Sequence, residues 1–208
     1  MELAKMTLEN FYTATGADKD ALINAFEKDV HCVVINSIIG NGATHLMMGI
    51  AKGNKEDILI LNYEKLLVFN GCCAINKLNL NSIKHLFLDS WNGFYLACER
   101  NDDFLDNLEM MERKISSFIN NGGKVYMTGN IDNMNGRLFS FVNRFSTTFI
   151  ILDKVEKEVL GLLLRDFDET YKADFSIRFG YELLNKKYYS YREFNNELMV
   201  RYCSLTSL

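Results

Sequence analysis

The sequence predicts an α/β fold in which a five-stranded parallel sheet lies between helices and a small all-α subdomain follows it. Two observations predict this fold. Over residues 1–153, short apolar runs alternate with segments of helical periodicity, which is typical of βαβ units and hence of a parallel sheet. Beyond residue 153 the periodicity is helical alone. We therefore expect an α/β core over residues 1–153 and a helical lid subdomain over residues 154–208.

Five short apolar runs bounded by polar residues are the predicted strands. Continuous apolar runs of about four to eight residues suit strands that are covered by helices on both faces. In chain order they span residues 31–36, 57–61, 85–89, 124–128 and 147–152.

Helices are predicted where apolar residues recur at steps of three and four. The clearest example is stopped by the pair Gly122 and Gly123, and another can be capped by Asp18. The segment 68–80 is compatible with a turn followed by either a short helix or a short strand. In chain order the predicted helices span residues 18–28, 44–52, 103–120, 157–167, 174–185 and 191–203.

The composition argues against several classes of protein. A net charge of −4 is unsuited to broad electrostatic binding of nucleic acid. The five cysteines form no CxxC pair, which favours reduced thiols over a zinc site. The N-terminus does not resemble a signal peptide, and no apolar run approaches the roughly 20 residues of a membrane span. We therefore expect a cytoplasmic protein that has no contact with a membrane.

A glycine-rich turn joins the first predicted strand to the next helix. In a P-loop, backbone N–H groups and a helix N-terminus surround phosphate oxygens, a lysine reaches the outer phosphates, and a Ser or Thr hydroxyl holds magnesium. Gly42 and Thr44 stand where that pattern requires them. Ser37 replaces its first glycine, and Ala43 replaces its lysine. Taken alone, such a turn is more commonly a tight connection than a phosphate site.

Five segments, in the right order, resemble the motifs of the DnaA family of AAA+ replication initiators, which includes the shorter Hda regulators. Residues 40–46, GNGATHL, resemble the family's GxGKTHL run, and residues 85–90 resemble its Walker B strand. The other three segments resemble the sensor 1 strand, the arginine-finger box and the sensor 2 segment of the lid: residues 125–130, 143–145 and 191–194. Together the likeness covers about residues 8–205.

This resemblance implies a P-loop-type AAA+ core with a site for ADP or ATP and Mg²⁺. Asp89 and Thr44 would hold the metal when nucleotide is bound, and Arg144 would be a finger that enters a neighbouring subunit's site. His45 suits packing or hydrogen bonding better than catalysis. The resemblance assigns nucleotide contacts to Gly40, Asn41, Gly42, Ala43, Thr44, His45, Asn130 and Arg192.

Two departures from the family pattern bear on catalysis. Ala43 removes a charged contact of a kind worth about 1.5–3 kcal/mol. Ser90 follows Asp89 where an acidic residue would polarise the attacking water, and serine cannot act as that base at neutral pH. We expect ATP turnover to be absent or vestigial, so that the chain is a hydrolysis-deficient homologue rather than an enzyme. Whether nucleotide binds at all stays open at this point.

Three functions follow from these observations. The first is a replication regulator similar to Hda, which acts by contact with a DnaA-like initiator. The second is a helicase loader or replication adaptor, including one encoded by a phage, that uses the fold as a scaffold on the replicative helicase. The third is an atypical P-loop phosphotransferase, which the missing lysine disfavours. Self-association through Arg144 is a further alternative. No sequence-specific DNA binding is expected, because the chain ends with the predicted lid and carries no basic helix-turn-helix segment.

Overall fold

The computed structural model describes residues 27–53, 57–62, 77–99, 105–130 and 135–206. Most of the predicted helix over 18–28, and most of the segment 68–80, lie outside these ranges.

Five parallel strands form one sheet in the order β2-β3-β4-β1-β5. All five predicted strands are confirmed, with bounds that move by one or two residues. The strands are β1 (Cys32–Ser37), β2 (Ile58–Asn62), β3 (His85–Asp89), β4 (Lys124–Asn130) and β5 (Thr147–Leu152).

Four helices accompany the sheet between β1 and β5 in the described residues. Two of them, α1 and α3, match predicted helices, whereas α2 and α4 were not singled out by periodicity. The four are α1 (Ala43–Gly53), α2 (Trp91–Glu99), α3 (Leu105–Asn120) and α4 (Gly136–Val142). Helix α2 begins one residue after β3, and α4 has only 7 residues, so neither offers a long periodic pattern.

Three helices follow β5, and we call them the lid. They are α5 (Lys157–Tyr171), α6 (Phe175–Asn185) and α7 (Tyr191–Thr206). Each predicted lid helix is present. Helix α5 runs four residues beyond its predicted end and stops where Lys172 takes a left-handed conformation, with φ 52° and ψ 37°.

Alternate residues of β1 pack into two hydrophobic clusters, one on each face of the sheet. Val33 and Ile35 belong to a cluster that contains α1 and the lid helices. Cys32 and Val34 belong to a cluster that contains α2, α3 and α4. Helices therefore cover both faces, which explains why the strands are continuous apolar runs. None of the helices in the described ranges combines the length and the apolar character that crossing a membrane demands.

Candidate functional site

A cavity of about 840 Å³ lies at the carboxyl edge of the sheet, between the loop after β1, the start of α2, the end of β4 and the start of α7. Ligands of open parallel sheets bind at this edge, where the strand ends and the following helices meet. The lining residues are Ser37, Ile39, Gly40, Gly42, Ala43, Thr44, His45, Ser90, Asn92, Gly93, Leu96, Thr128, Gly129, Asn130, Arg192, Asn195 and Asn196.

Two glycines give the loop between β1 and α1 its shape. Gly40 has a φ of +94° and Gly42 a φ of +89°, in the left-handed region that glycine enters without a steric cost. Helix α1 begins directly after them and presents its N-terminus to the cavity, where Thr44 and His45 lie in its first turn. The first N–H groups of a helix have no acceptor within the helix, so this end of α1 suits an anion.

Asp89 lies beneath the cavity and is held by three side-chain donors. The hydroxyl of Thr44 donates to Asp89 Oδ1 at 2.8 Å, and that of Thr128 donates to the same oxygen at 2.9 Å. The amide of Asn62 donates to Asp89 Oδ2 at 3.1 Å. The carboxylate is only 8% exposed, and these bonds compensate its burial.

The Thr44–Asp89 pair fits a magnesium ion. Because the Thr44 hydroxyl uses its one hydrogen on Asp89, its lone pairs remain available to a cation. Magnesium prefers such oxygen ligands, and it commonly takes one or two from the protein and the rest from phosphate and water. Within the described ranges no group of three or more His, Cys, Asp and Glu side chains could form a metal cage. Thr44 and Asp89 are the residues that would hold such an ion.

The described cavity wall contains Ser90 and His45 but no carboxylate. Among its described lining residues there is no Asp, Glu or Lys. Ser90 has a φ of 55°, and its backbone N–H donates to the Thr128 hydroxyl at 2.7 Å. Ala43, at the position of the missing lysine, contributes only a methyl group that is 8% exposed. The wall can bind and orient a ligand through hydrogen bonds, and among its described residues His45 is the one side chain of a kind that serves as a general base.

The residues singled out in the sequence fall in three places. Most of them line the cavity: Gly40, Gly42, Ala43, Thr44, His45, Asn130 and Arg192. Asn41 is fully buried and is not part of the wall. Arg144 lies elsewhere, exposed in the turn between α4 and β5, with its guanidinium 5.8 Å from the centre of the Phe141 ring.

Arg144 lines a separate surface cleft that contains two further arginines. Arg137 is paired with Glu112 through two hydrogen bonds of 3.1 Å, and Arg113 lies 3.6 Å from Glu109. In the described part of the chain Arg144 forms no such ion pair. Of the three arginines that line this cleft, Arg144 is thus the one without an ion pair to a described carboxylate.

Thr128 and Asn62 are site residues that the sequence analysis missed. Asn62 ends β2 and is paired with Asp89, whereas Thr128 lies two residues before the end of β4, directly after Met127, which is paired with Leu88. The available signal was a polar residue directly after the apolar run of each strand that flanks β3. Asn92, Asn195 and Asn196 also line the cavity, and nothing in the local sequence distinguishes them from ordinary surface amides.

Comparison of the sequence with protein-family models and with curated proteins finds no match. Solved structures do match. Domain III of the replication initiation protein DnaA from Thermotoga maritima superposes with a TM-score of 0.70 at 15% identity, over 100% of this chain and 92% of that one. AMPPCP-bound DnaA from Aquifex aeolicus gives 0.62 at 16% identity, over 94% of this chain and 64% of that one.

A RuvB variant from Thermotoga maritima gives a TM-score of 0.54 at 16% identity, over 82% of this chain and 55% of that one. The chain thus spans less than two thirds of the Aquifex DnaA and RuvB chains. At these identities the likeness concerns the fold. The chain has a DnaA-like AAA+ fold: a five-stranded parallel sheet between helices, followed by an all-α lid.

Proposed function

We propose that this protein is a replication regulator that binds nucleotide without hydrolysing it and acts by contact with an AAA+ partner, as Hda acts on DnaA. The proposal rests on one observation: the cavity keeps residues suited to binding a metal and phosphates, and lacks those that would support hydrolysis. Thr44 and Asp89 remain paired beneath a glycine loop, whereas Ala43 and Ser90 stand where a lysine and an acidic residue would support hydrolysis. In this proposal residues 1–153 form the AAA+ core, and residues 154–208 form the lid.

The ligand of the cavity is ADP or ATP with Mg²⁺. The N-terminus of α1 and the loop of Gly40 and Gly42 meet the phosphates, and Thr44 and Asp89 meet the metal. Arg192 adds a cation from the first turn of α7, and Asn130 adds an amide from the end of β4. The AMPPCP bound to the Aquifex DnaA supports this choice of ligand.

Arg144 is the residue that acts on the partner. Its charge is exposed, and it is not committed to a described carboxylate, as Arg137 and Arg113 are. Placed in a neighbour's nucleotide site, such an arginine would stabilise the charge that develops on the phosphates during hydrolysis. The partner is a DnaA-like initiator, in the cytoplasm, and the net charge of −4 fits contact with protein better than contact with DNA.

Nucleotide binding and turnover are tested on the isolated protein. Calorimetric titration with ADP and ATP in Mg²⁺ should give saturable binding that weakens in Asp89→Ala, because that variant loses the metal's carboxylate. Steady-state ATP turnover should equal the background rate. Turnover well above background that disappears in Asp89→Ala would overturn the absence of hydrolysis.

The partner is tested by affinity capture from the source cells, probed for the DnaA-like initiator and for the replicative helicase. Recovery of the initiator supports the proposal, and recovery of the helicase alone favours the loader or adaptor. Recovery of neither contradicts both. With the captured initiator, Arg144→Ala should abolish any stimulation of the partner's hydrolysis. Arg113→Ala, in the same cleft but already paired with Glu109, is the matched control and should keep it.

A further inference from the structure

Asn41 stands in the middle of the loop between β1 and α1, yet it faces the lid rather than the cavity. Its side chain is 0% exposed, and the residue is not part of the cavity wall. A buried amide is costly unless its donors and acceptor are satisfied. The partners of Asn41 therefore indicate what the residue does.

Those partners come from segments more than a hundred residues away in sequence. The Asn41 amide nitrogen donates to the carbonyl oxygens of Leu152 and Lys154, both at 3.3 Å. Its oxygen accepts from the backbone N–H of Tyr191, also at 3.3 Å. We call residues 38–42, between β1 and α1, the phosphate loop. The Asn41 side chain thus joins this loop to the end of β5, to the connection that leads into the lid, and to the first residue of α7.

The loop supplies acceptors to the first turn of α7, where a helix has no internal partners for its N–H groups. Tyr191 N–H is bonded to Asn41, and Arg192 N–H donates to the carbonyl oxygen of Gly40 at 3.2 Å. The Glu193 N–H donates to the Ser190 hydroxyl, and the Phe194 N–H donates to the Ser190 carbonyl oxygen as the first bond within the helix. The first two N–H groups of α7 are therefore bonded to the phosphate loop.

The two segments are also in direct steric contact. A Cβ atom added to Gly40 would lie 2.8 Å from the Cβ of Arg192 and 3.1 Å from the hydroxyl oxygen of Ser190. The absence of a side chain at position 40 is what allows the start of α7 to approach the loop. Tyr191 adds a third tie, because its hydroxyl accepts from the backbone N–H of Glu156 at 3.0 Å, next to the start of α5.

We infer that Asn41 is a positioning residue: its amide fixes α7 to the phosphate loop and so places Arg192 at the cavity before any ligand binds. The inference rests on the proposed function, since it takes the cavity to be a nucleotide site. When the start of α7 is already in place, its backbone does not have to be ordered as the phosphates bind, which increases affinity. Asn41 acts on the ligand through Arg192 and does not touch it.

A double-mutant cycle tests whether Asn41 acts on the bound nucleotide through Arg192. ADP affinity is measured by calorimetry in Mg²⁺ for wild type, Asn41→Leu, Arg192→Ala and the double variant. Asn41→Leu should weaken ADP binding about tenfold in the wild-type background, the scale of one charged contact. In the Arg192→Ala background the same substitution should change affinity less than about twofold. A full tenfold loss in both backgrounds would mean that Asn41 merely maintains the loop, and would overturn the inference. If Asn41→Leu does not fold, Asn41→Ser carries the same cycle.

Hydrogen exchange in the absence of nucleotide tests the hydrogen-bonded link between Asn41 and the start of α7. The Tyr191 and Arg192 amides should exchange slowly in the wild type and about tenfold faster in Asn41→Leu, while the β1 amides stay protected and show that the variant is folded. Asn185→Leu, at an exposed asparagine of α6, is the control and should leave both amides slow. Unchanged exchange in Asn41→Leu would refute the link. If ADP binds to none of the proteins, the proposed function fails, and the exchange result still decides the link.

Discussion

At the scale of single residues, the charge balance where the cavity meets the start of α1 depends on the residue at position 43. Ala43 contributes no charge, and Asp89 lies close by as a buried carboxylate held by Thr44. Phosphate groups placed here would add negative charge beside a carboxylate. Of the described lining residues only Arg192 carries a permanent positive charge, so the metal has to supply most of the compensation.

Ala43→Lys should therefore make nucleotide binding less dependent on the metal. We expect ADP affinity in EDTA to rise about tenfold or more, because a charged hydrogen bond to phosphate contributes about 1.5–3 kcal/mol. The ratio of affinities with and without Mg²⁺, measured by calorimetry, should shrink accordingly. Ala43→Met has a similar length without the charge, and is the control. An equal gain in both variants would mean that side-chain bulk at position 43, rather than charge, sets the affinity.

Sequence reasoning reaches the residues of the site unevenly, for a physical reason. Thr44 and Asp89 lie within contiguous motifs, so their roles can be predicted from neighbouring residues in the sequence. Thr128 and Asn62 act on Asp89 across strand pairs, so their role depends on the register of the sheet. The lid side of the cavity depends on how Asn41 meets Tyr191, which are 150 residues apart. No local pattern encodes that contact.

At the scale of elements, the end of α5 is a position of backbone strain. Helix α5 ends at Lys172, whose φ of 52° and ψ of 37° place it in the left-handed region. Its N–H donates to the carbonyl oxygen of Asp168 and completes the cap. A residue with a Cβ atom adopts this conformation at a cost of about 1–2 kcal/mol, which glycine avoids.

Lys172→Gly should consequently stabilise the protein. The gain in the free energy of unfolding should be about 0.5–1 kcal/mol, since the greater freedom of glycine in the unfolded chain offsets part of the relieved strain. For a chain of this size that corresponds to a rise in Tm of roughly 2–4 °C per kcal/mol, measurable by calorimetry. Lys187→Gly, at an exposed lysine without a positive φ, should give no rise. A lower Tm for Lys172→Gly would contradict the claim that the left-handed conformation of Lys172 is strained.

A charged network joins α6 to α7. Arg201 bonds both Glu182 and Glu197, with its Nη2 atom 2.8 Å from Glu197 Oε1, and Lys186 also bonds Glu197. Burial alone would raise the pKa of Glu197. The hydrogen bonds from Lys186 and Arg201 outweigh burial and lower the pKa below its ordinary 4.5. A carboxyl whose pKa is lowered by folding contributes stability that is complete above its unfolded pKa and is lost as the pH falls through its folded pKa.

Glu197→Gln should therefore be less stable than the wild type at pH 7, by roughly 0.5–1 kcal/mol for a largely surface network. The difference should shrink as the pH is lowered below about 4.5, because the wild-type carboxyl is then protonated as well. Urea unfolding at pH 7 and at pH 3 measures both values. Asp153→Asn, at an exposed residue between β5 and α5, is the control and should change stability at neither pH. A difference that persists at pH 3 would show that the glutamine acts by altered packing.

The elements differ in how far the sequence predicts them. The five strands and the lid helices are long uninterrupted patterns, so burial on both faces or on one stripe is visible in the residues themselves. Helix α2 starts straight after Ser90, whose φ of 55° turns the chain out of β3 without a glycine or a proline to signal it. Helix α4 begins at a cap formed by Asn135, whose side chain accepts from the Leu138 N–H at 3.0 Å, and is too short for a periodic signal.

At the scale of the whole molecule, the lid shares the hydrophobic cluster on one face of the sheet with α1. Val33 and Leu46 lie in the same cluster as Leu160, Leu164 and Leu198 of the lid. The apolar stripes of the lid helices pack against one another and join the α/β core in one continuous hydrophobic cluster. A connection of this kind makes the two parts interdependent, because removing either one exposes the apolar surface of the other.

We accordingly expect the described core and the lid to unfold together. Fluorescence of Trp91, buried in the cluster on the opposite face, reports the core in urea, and hydrogen exchange of the Leu164 and Leu198 amides reports the lid. Both probes should give the same free energy of unfolding.

Leu198→Ala removes a fully buried lid side chain and should lower both values by about 2–5 kcal/mol, whereas Leu205→Ala, at a side chain 40% exposed, should lower neither. The reason is that a cavity opened at Leu198 weakens a cluster to which Val33 of β1 also belongs, so the free energy of unfolding falls for the lid and for the core. If instead the lid amides exchange at a lower free energy than the Trp91 transition, and Leu198→Ala changes only the lid value, then the lid opens on its own. In that case the link between Asn41 and Tyr191 would have to break in each opening, and Arg192 would leave the cavity with α7.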